Sequence, residues 1–181
     1  VAALCDDGSL VLDVGCNEGY VASMVMQLNP TTKIVGIDIQ ANRPALIERR
    51  LYDGKRIPFP DNHFDVVMAL DVLHHTESPT ALLSLLKEMT RVSKRYIIIK
   101  DHIARSIVSR WALCFCDILA NLPFNVRCTF NYSTEKQWDS YFRAAELKVT
   151  ERPRRIHFGF GVTEHYNPIF KLEKVSSAQK V

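Results

Sequence analysis

The stretch Val11-Leu12-Asp13-Val14-Gly15-Cys16-Asn17-Glu18-Gly19-Tyr20 decides how the chain is read. A short apolar run, Leu10 to Val14, stops at a glycine turn. It feeds a segment, Tyr20 to Leu28, whose apolar residues keep helical spacing until Asn29-Pro30. Glycine has no Cβ, so a ligand can come close to the backbone there. The free N–H groups and positive dipole end of the following helix suit a carboxylate or phosphate. Asp13, just before the first glycine, suits a ligand with an amino group. Read alone, the loop's signal is moderate, with an ordinary strand–helix turn as the lesser alternative.

Working outward, Lys33 to Ile39 is a second strand, rich in Ile and Val, and Asp38 stands at its end. An acidic residue there can hold both hydroxyls of a ribose. A nicotinamide dehydrogenase would use the same logic but ranks last. The G-x-G-x-x-G spacing is missing, because Asn17 replaces one glycine and Val21-Ala22 supplies none.

Arg43 to Leu51 is expected to form a short helix, and Phe64 to Leu70 a third apolar strand. Ser78-Pro79 starts a helix, with serine as cap and proline in the first turn. Leu82, Leu83, Leu86, Met89 and Val92 make its apolar face. Tyr96 to Lys100 is the next strand.

Ile103, Ile107, Val108, Trp111, Phe115, Ile118 and Leu119 form a long helical stripe, broken by Pro123. It is read first as a helix packed on the body and second as a cover over a substrate. Thr134 and Gln137 match a capping box, followed by Trp138, Tyr141, Phe142 and Ala145 at helical spacing. Leu147 to Val175 reads as two strands around a Gly159-Phe160-Gly161 turn, with a frayed tail from Ser176 to Val181.

This alternation predicts an α/β fold: one Rossmann-like, doubly wound domain over residues 1–175, with a helical insertion over 102–132. The 181 residues, 47% hydrophobic and 24% charged, fit one ordinary globular domain and argue against disorder. No run of about 18 apolar residues occurs, so no membrane span is expected. No signal peptide is expected in this chain either, and because the first strand-like run begins so soon after Val1, whether an upstream segment is missing is left open. Cys5, Cys16, Cys114, Cys116 and Cys128 show no zinc spacing and are read as free thiols in a reducing cytosol. A net charge of +3 permits an acidic partner without demanding one. Arg152, Arg154, Arg155 and His157 are read as a solvated basic face.

Four stretches together resemble the successive motifs of class I S-adenosylmethionine-dependent methyltransferases, the "type 11" group above all. They are VLDVGCNEGY (Val11 to Tyr20), IVGIDI (Ile34 to Ile39), DGKRIPFPDNHF (Asp53 to Phe64) and DVVMALDVLHH (Asp65 to His75). The resemblance implies a seven-stranded, mostly parallel sheet ordered 3-2-1-4-5-7-6 with the last strand antiparallel. It implies that Gly15, Cys16 and Asn17, with Asp13 and Tyr20 beside them, line the methionine and ribose of S-adenosyl-L-methionine, with S-adenosyl-L-homocysteine as product. Asp38 would hold the ribose and Ile39 pack on the adenine. Asp53 would accept from the adenine amino group with Gly54 beside it, and Leu70, Asp71 and Val72 would lie along the sulfonium side. Two departures stand out: Asn17 replaces a glycine of the family, and Arg91 to Arg95 replaces its proline–glycine–glycine turn.

Methyl transfer needs positioning and exclusion of water, and a base only where the acceptor must lose a proton. His74-His75 and Asp101-His102 end neighbouring strand segments on the ligand side of the sheet. His75 and His102 are therefore base candidates, with Asp101 able to orient one of them. Against this, His75 also reads as a structural residue capping the turn before Ser78, and His102 as a solvated helix-start residue.

The expectation is a cytoplasmic methyltransferase acting at oxygen, nitrogen or carbon of a small organic acceptor, with no metal and no membrane. Nucleic acid is read as an unlikely partner because the basic residues are few and scattered. An RNA methyltransferase of the tRNA type is the first alternative, and a non-catalytic cofactor-binding or partner subunit the second. Oligomeric state is left unassigned.

Overall fold

Leu12 and Val67 face one side of the sheet and Val11 and Val66 the other, and this alternation builds two cores. The computed structural model of the chain describes residues 1, 3, 5–40, 44–104, 107–121, 129, 131–151, 157–158, 165–166 and 169–175. Within these, the side chains of 108, 109, 112, 116, 117, 120, 121, 157–158 and 165–166 lie outside the description. The expected Gly159-Phe160-Gly161 turn, the Arg152, Arg154, Arg155 and His157 side chains, Pro123, Cys128 and the tail from Ser176 also fall outside it.

β1 (Leu10–Val14) is central because parallel neighbours pair with it on both sides. β2 (Lys33–Asp38) aligns Val35 with Leu12, and β4 (Phe64–Leu70) aligns Val67 with it. β3 (Glu48–Leu51) lies outside β2, and β5 (Ser93–Lys100) outside β4. β6 (Leu147–Glu151) and β9 (Ile169–Lys174) complete the order β3-β2-β1-β4-β5-β9-β6. β9 runs antiparallel to both of its neighbours. This is the seven-stranded topology anticipated from the motifs. β7 (His157–Phe158) and β8 (His165–Tyr166) pair as a separate small ribbon.

α1 (Tyr20–Leu28) covers one face through Ala22 and Val25. α2 (Pro79–Val92) and α4 (Glu135–Ala144) cover the other. The Ser78 hydroxyl caps α2 by accepting from the Ala81 N–H at 3.1 Å. The capping box on α4 forms as read, with the Thr134 N–H donating to Gln137 Oε1 at 2.8 Å. No helix among the described residues is long and apolar enough to cross a membrane.

Three expectations are corrected. Residues 48–51 form β3, not a helix. This strand pairs on one side only and is largely exposed, so Glu-Arg-Arg-Leu carries no apolar alternation and backbone pairing with β2 decides its shape. In α2, Leu85 is buried and Leu83 only partly so. Ile103 apart, which is buried in the main core, the described side chains of the long stripe do not pack on the body as first read. In α3 (Ile107–Asn121), Leu113 is buried against Tyr132 and Ala104, while Ile107, Phe115, Ile118, Leu119 and Trp111, the last 72% exposed, face outward. At about 3.6 residues per turn, Leu113 and Trp111 point in opposite directions, and the helix seats only the former.

Candidate active site

The carboxyl ends of β1, β2 and β4 meet at one edge, and the glycine turn closes over it. Gly15 has φ 72, and its N–H donates to the Ile37 carbonyl at 2.8 Å. The Cys16 N–H shares that carbonyl at 3.2 Å. A Cβ added at Gly15 would lie 2.5 Å from Val72 Cγ2, so glycine is required by space as well as by φ. Asn17 also takes the left-handed region, at φ 51, where asparagine is among the few tolerated non-glycine residues. This explains how it stands in for the family's glycine.

Asp38 ties the turn together. Its Oδ2 accepts from the Asn17 N–H at 2.8 Å and its Oδ1 from the Gln40 N–H at 2.9 Å. Each oxygen keeps a second lone pair for a hydroxyl. Arg49 donates to the Asn17 carbonyl at 2.7 Å, pinning the turn from β3. A cleft of about 200 Å³ opens here, lined by Asp13, Gly15, Cys16, Asn17, Tyr20 and Leu70 among others. Asp13 is buried in the cleft wall, and burial, with the nearby Asp38 charge, pushes its carboxyl up to about 7. Burial also pushes the Cys16 thiol up to about 12, helped by Asp13 and Asp38, so it stays a neutral lining group.

Farther along, Ile39 is 62% exposed and lies beside Gly54, where an added Cβ would come 3.2 Å from Ile39 Cγ2. Asp53 Oδ1 accepts from the N–H groups of Lys55 and Arg56 at 2.9 and 3.0 Å, which holds its carboxyl below the usual range. The expected adenine residues thus share one corner: an open apolar side chain, a glycine and a fixed carboxylate.

The opposite end is built by β4 and β5. Past Leu70, Asp71 turns left-handed at φ 57, and its N–H donates to the Lys100 carbonyl at 2.8 Å. Its Oδ2 pairs with Lys100 Nζ, while its Oδ1 is buried without a hydrogen-bond partner among the described residues. His102 Nε2 lies 4.0 Å from that oxygen.

Asp101 is completely buried. Its Oδ2 accepts from the N–H groups of Leu73 and His74 at 2.9 and 3.2 Å, and its Oδ1 from the His102 N–H at 2.7 Å. Oδ1 also meets His74 Nδ1 at 2.7 Å. It therefore anchors a 3-10 turn, Leu73–His75, and orients His74 rather than the expected His75 or His102 ring. Burial alone would raise this carboxyl, but His74 and the N–H donors outweigh it and hold it below the usual range.

The His74 ring contacts His75 at 4.0 Å and His102 at 4.8 Å between centroids, and stacks on Tyr132 at 5.6 Å. His102 is not at a helix start: it precedes Ile103, which bridges to Ser133, and α3 begins only at Ile107. Thr129 and Asn131 donate to the carbonyls of His74 and Thr76, both at 2.6 Å, drawing the segment before α4 onto the turn. Sequence reasoning passed over Lys100 and Tyr132. Lys100 was visible as a charge ending an apolar strand, but nothing local marks Tyr132. Among the described residues, no group of three or more His, Cys, Asp or Glu side chains is placed to hold a metal ion.

The sheet order and the glycine cleft define the class I methyltransferase fold. A family model described as "Methyltransferase domain" matches residues 1–152, and the chain belongs to that family. The structure resembles a SAM-dependent methyltransferase from Methanosarcina mazei at TM-score 0.71 and 15% identity, covering 94% of each chain. It also resembles one from Aquifex aeolicus at TM-score 0.61 and 18% identity, covering 93% of this chain and 84% of that one. Among curated proteins, a tRNA U34 carboxymethyltransferase of Nautilia profundicola is 38% identical over 88 residues, 42% of this chain and 29% of that protein. A tRNA (carboxymethyluridine(34)-5-O)-methyltransferase of Schizosaccharomyces pombe is 28% identical over 91 residues, 46% of this chain and 37% of that protein. The chain thus spans well under half the length of these curated relatives.

These relatives overturn the expectation of a small-molecule acceptor with nucleic acid set aside, since both are named for tRNA. The net charge of a whole chain is a weak guide here, because nucleic-acid affinity comes from particular phosphate contacts rather than average composition.

Proposed function

We propose that this chain binds S-adenosylmethionine across the β1–β2–β4 edge and transfers its methyl group to an RNA nucleoside, with transfer RNA as the acceptor class. The observation that carries the cofactor reading is Asp38: one carboxylate, bonded to the turn at Asn17 and Gln40, with lone pairs left for a ribose. The tRNA-acting relatives support the acceptor class.

When bound, the cofactor supplies an electrophilic methyl group on a sulfonium. Asp13 faces the ammonium of its methionine end and the α1 N-terminus its carboxylate. Ile39, Asp53 and Gly54 take the adenine. Leu70 and Val72 wall the reacting end and keep water out. His102 accepts a proton where the nucleoside must lose one, with His75 as the second candidate.

The test is transfer of tritiated methyl from S-adenosylmethionine, offered unmodified tRNA and a small-metabolite extract side by side. Label should enter the RNA and vanish with Asp38→Ala. Label confined to small molecules sinks the RNA reading, and failure to bind S-adenosylhomocysteine in calorimetry sinks the cofactor reading.

A further inference from the structure

Asp71 stands where β4 gives way to the 3-10 turn, beside Leu70 of the cleft wall, and three observations make it more than a wall residue. Its backbone is left-handed, at φ 57, a region uncommon for non-glycine residues though less costly for aspartate than for most. It is fixed to β5 at both ends, through its N–H on the Lys100 carbonyl and its Oδ2 on Lys100 Nζ. Its Oδ1 is buried and accepts no hydrogen bond among the described residues, a costly state that one donor would relieve. His102 lies close to that oxygen, with Nε2 at 4.0 Å and the ring partly open to solvent.

We infer that Asp71 is a positioning residue for His102, with Lys100 as its anchor. A small turn of the His102 ring closes the gap and gives Asp71 Oδ1 its missing donor. The paired ring nitrogen then carries the proton, which fixes the tautomer and makes the other the proton-accepting nitrogen. A proton released by the acceptor passes to that second nitrogen, and Asp71 stabilises the imidazolium that results. This catalytic consequence rests on the reading of His102 as proton acceptor, whereas the pairing is a property of the protein alone.

Among the described residues, the groups around His102 include Asp71 from the end of β4 with Lys100 of β5 paired to it, Asp101 from β5, His74 from the 3-10 turn and Tyr132 from the segment before α4. Asp101 is already engaged by three N–H groups and the His74 ring. Asp71 and Lys100 therefore act on His102 with opposite signs: the carboxylate favours the imidazolium and the ammonium opposes it.

The test is an NMR titration of the imidazole nitrogens in the full chain, with the His102 signals assigned by their loss in His102→Asn. Asp71→Asn should lower the His102 pKa by about one unit, and Lys100→Met should raise it. A loosened structure would move both variants the same way. Shifts in one common direction, or no shift with Asp71→Asn, overturn the inference. If Asp71→Asn does not fold, Lys100→Met decides alone, and a fall or no change overturns it. If the titrations behave as stated but the pH profile of RNA methylation does not follow them, the pairing stands and the base reading of His102 fails.

Discussion

His74 Nδ1 lies 2.7 Å from Asp101 Oδ1, with side chains only 3% and 0% exposed. The contact makes the two adjacent histidines unequal. His74 is spent on holding the 3-10 turn, and the proposed proton acceptor is one of its neighbours, His102 or His75. Asp101→Asn should therefore act first on stability, costing about 3–5 kcal/mol at neutral pH, as breaking a buried pair does. The Asp101 carboxyl is held below its usual range in the fold. Its contribution is therefore complete above the unfolded value of about 3.9 and is lost as pH falls through the folded one. In urea unfolding, the deficit of the Asn variant should shrink at strongly acidic pH. An equal deficit from neutral pH down to the acid limit would rule out this linkage.

Asp38→Ala removes the acceptors of the Asn17 and Gln40 N–H groups together with the proposed ribose contact. Charge-assisted bonds contribute about 1.5–3 kcal/mol each, so S-adenosylhomocysteine affinity should fall by at least about tenfold in calorimetry. Binding as tight as the parent's would remove Asp38 from the site.

Asp13 supplies a pH signature of opposite sign. Its folded carboxyl is raised to about 7, so between the unfolded value and about 7 the folded chain keeps a proton that the unfolded chain has lost. Relative to Asp13→Asn, the parent should lose stability as pH rises through that window, by up to about 4 kcal/mol, and then level off. S-adenosylhomocysteine should bind the parent more tightly as pH passes the value at which Asp13 ionises, and the Asn variant without that rise. Parallel curves for the two proteins would refute the ammonium contact.

Arg91 stands within the departure from the family's turn, and it is not a passive surface residue. Its guanidinium pairs with Glu88 at 2.7 Å and Asp61 at 2.8 Å, and donates to the carbonyls of Ile57 and Phe59, both at 2.9 Å. It thereby ties the Ile57–Asp61 loop to α2. Arg91→Ala should cost about 2–4 kcal/mol in chemical unfolding, and Arg91→Lys an intermediate amount, because one ammonium cannot reproduce the planar fork. A neutral Arg91→Ala would mean the network is solvated and idle.

The glycine turn, Asp38, the Ser78 cap and the Thr134–Gln137 box were legible because each depends on residues a few positions apart, or on a motif of fixed order. β3 was not legible, because Glu48-Arg49-Arg50-Leu51 has no period and becomes a strand only through the exposed edge of β2. The outward face of α3 was misread for a related reason. Helical spacing says that one side is apolar and not which side meets a neighbour, and here Leu113 and Tyr132 made that choice.

By itself the sequence determined most of the alternation of strands and helices, β3 apart, and the glycine turn at the end of β1, since backbone dihedrals, caps and hydrophobic period are local properties. Which histidine is buried, which carboxylate orients it and which oxygen has no donor among the described residues were decided only by the tertiary structure. Asp101 meets His74, and Lys100 meets Asp71, only once β4 and β5 lie side by side with Leu70 paired to Lys100. Such contacts depend on register between strands, and no spacing within the chain encodes that directly.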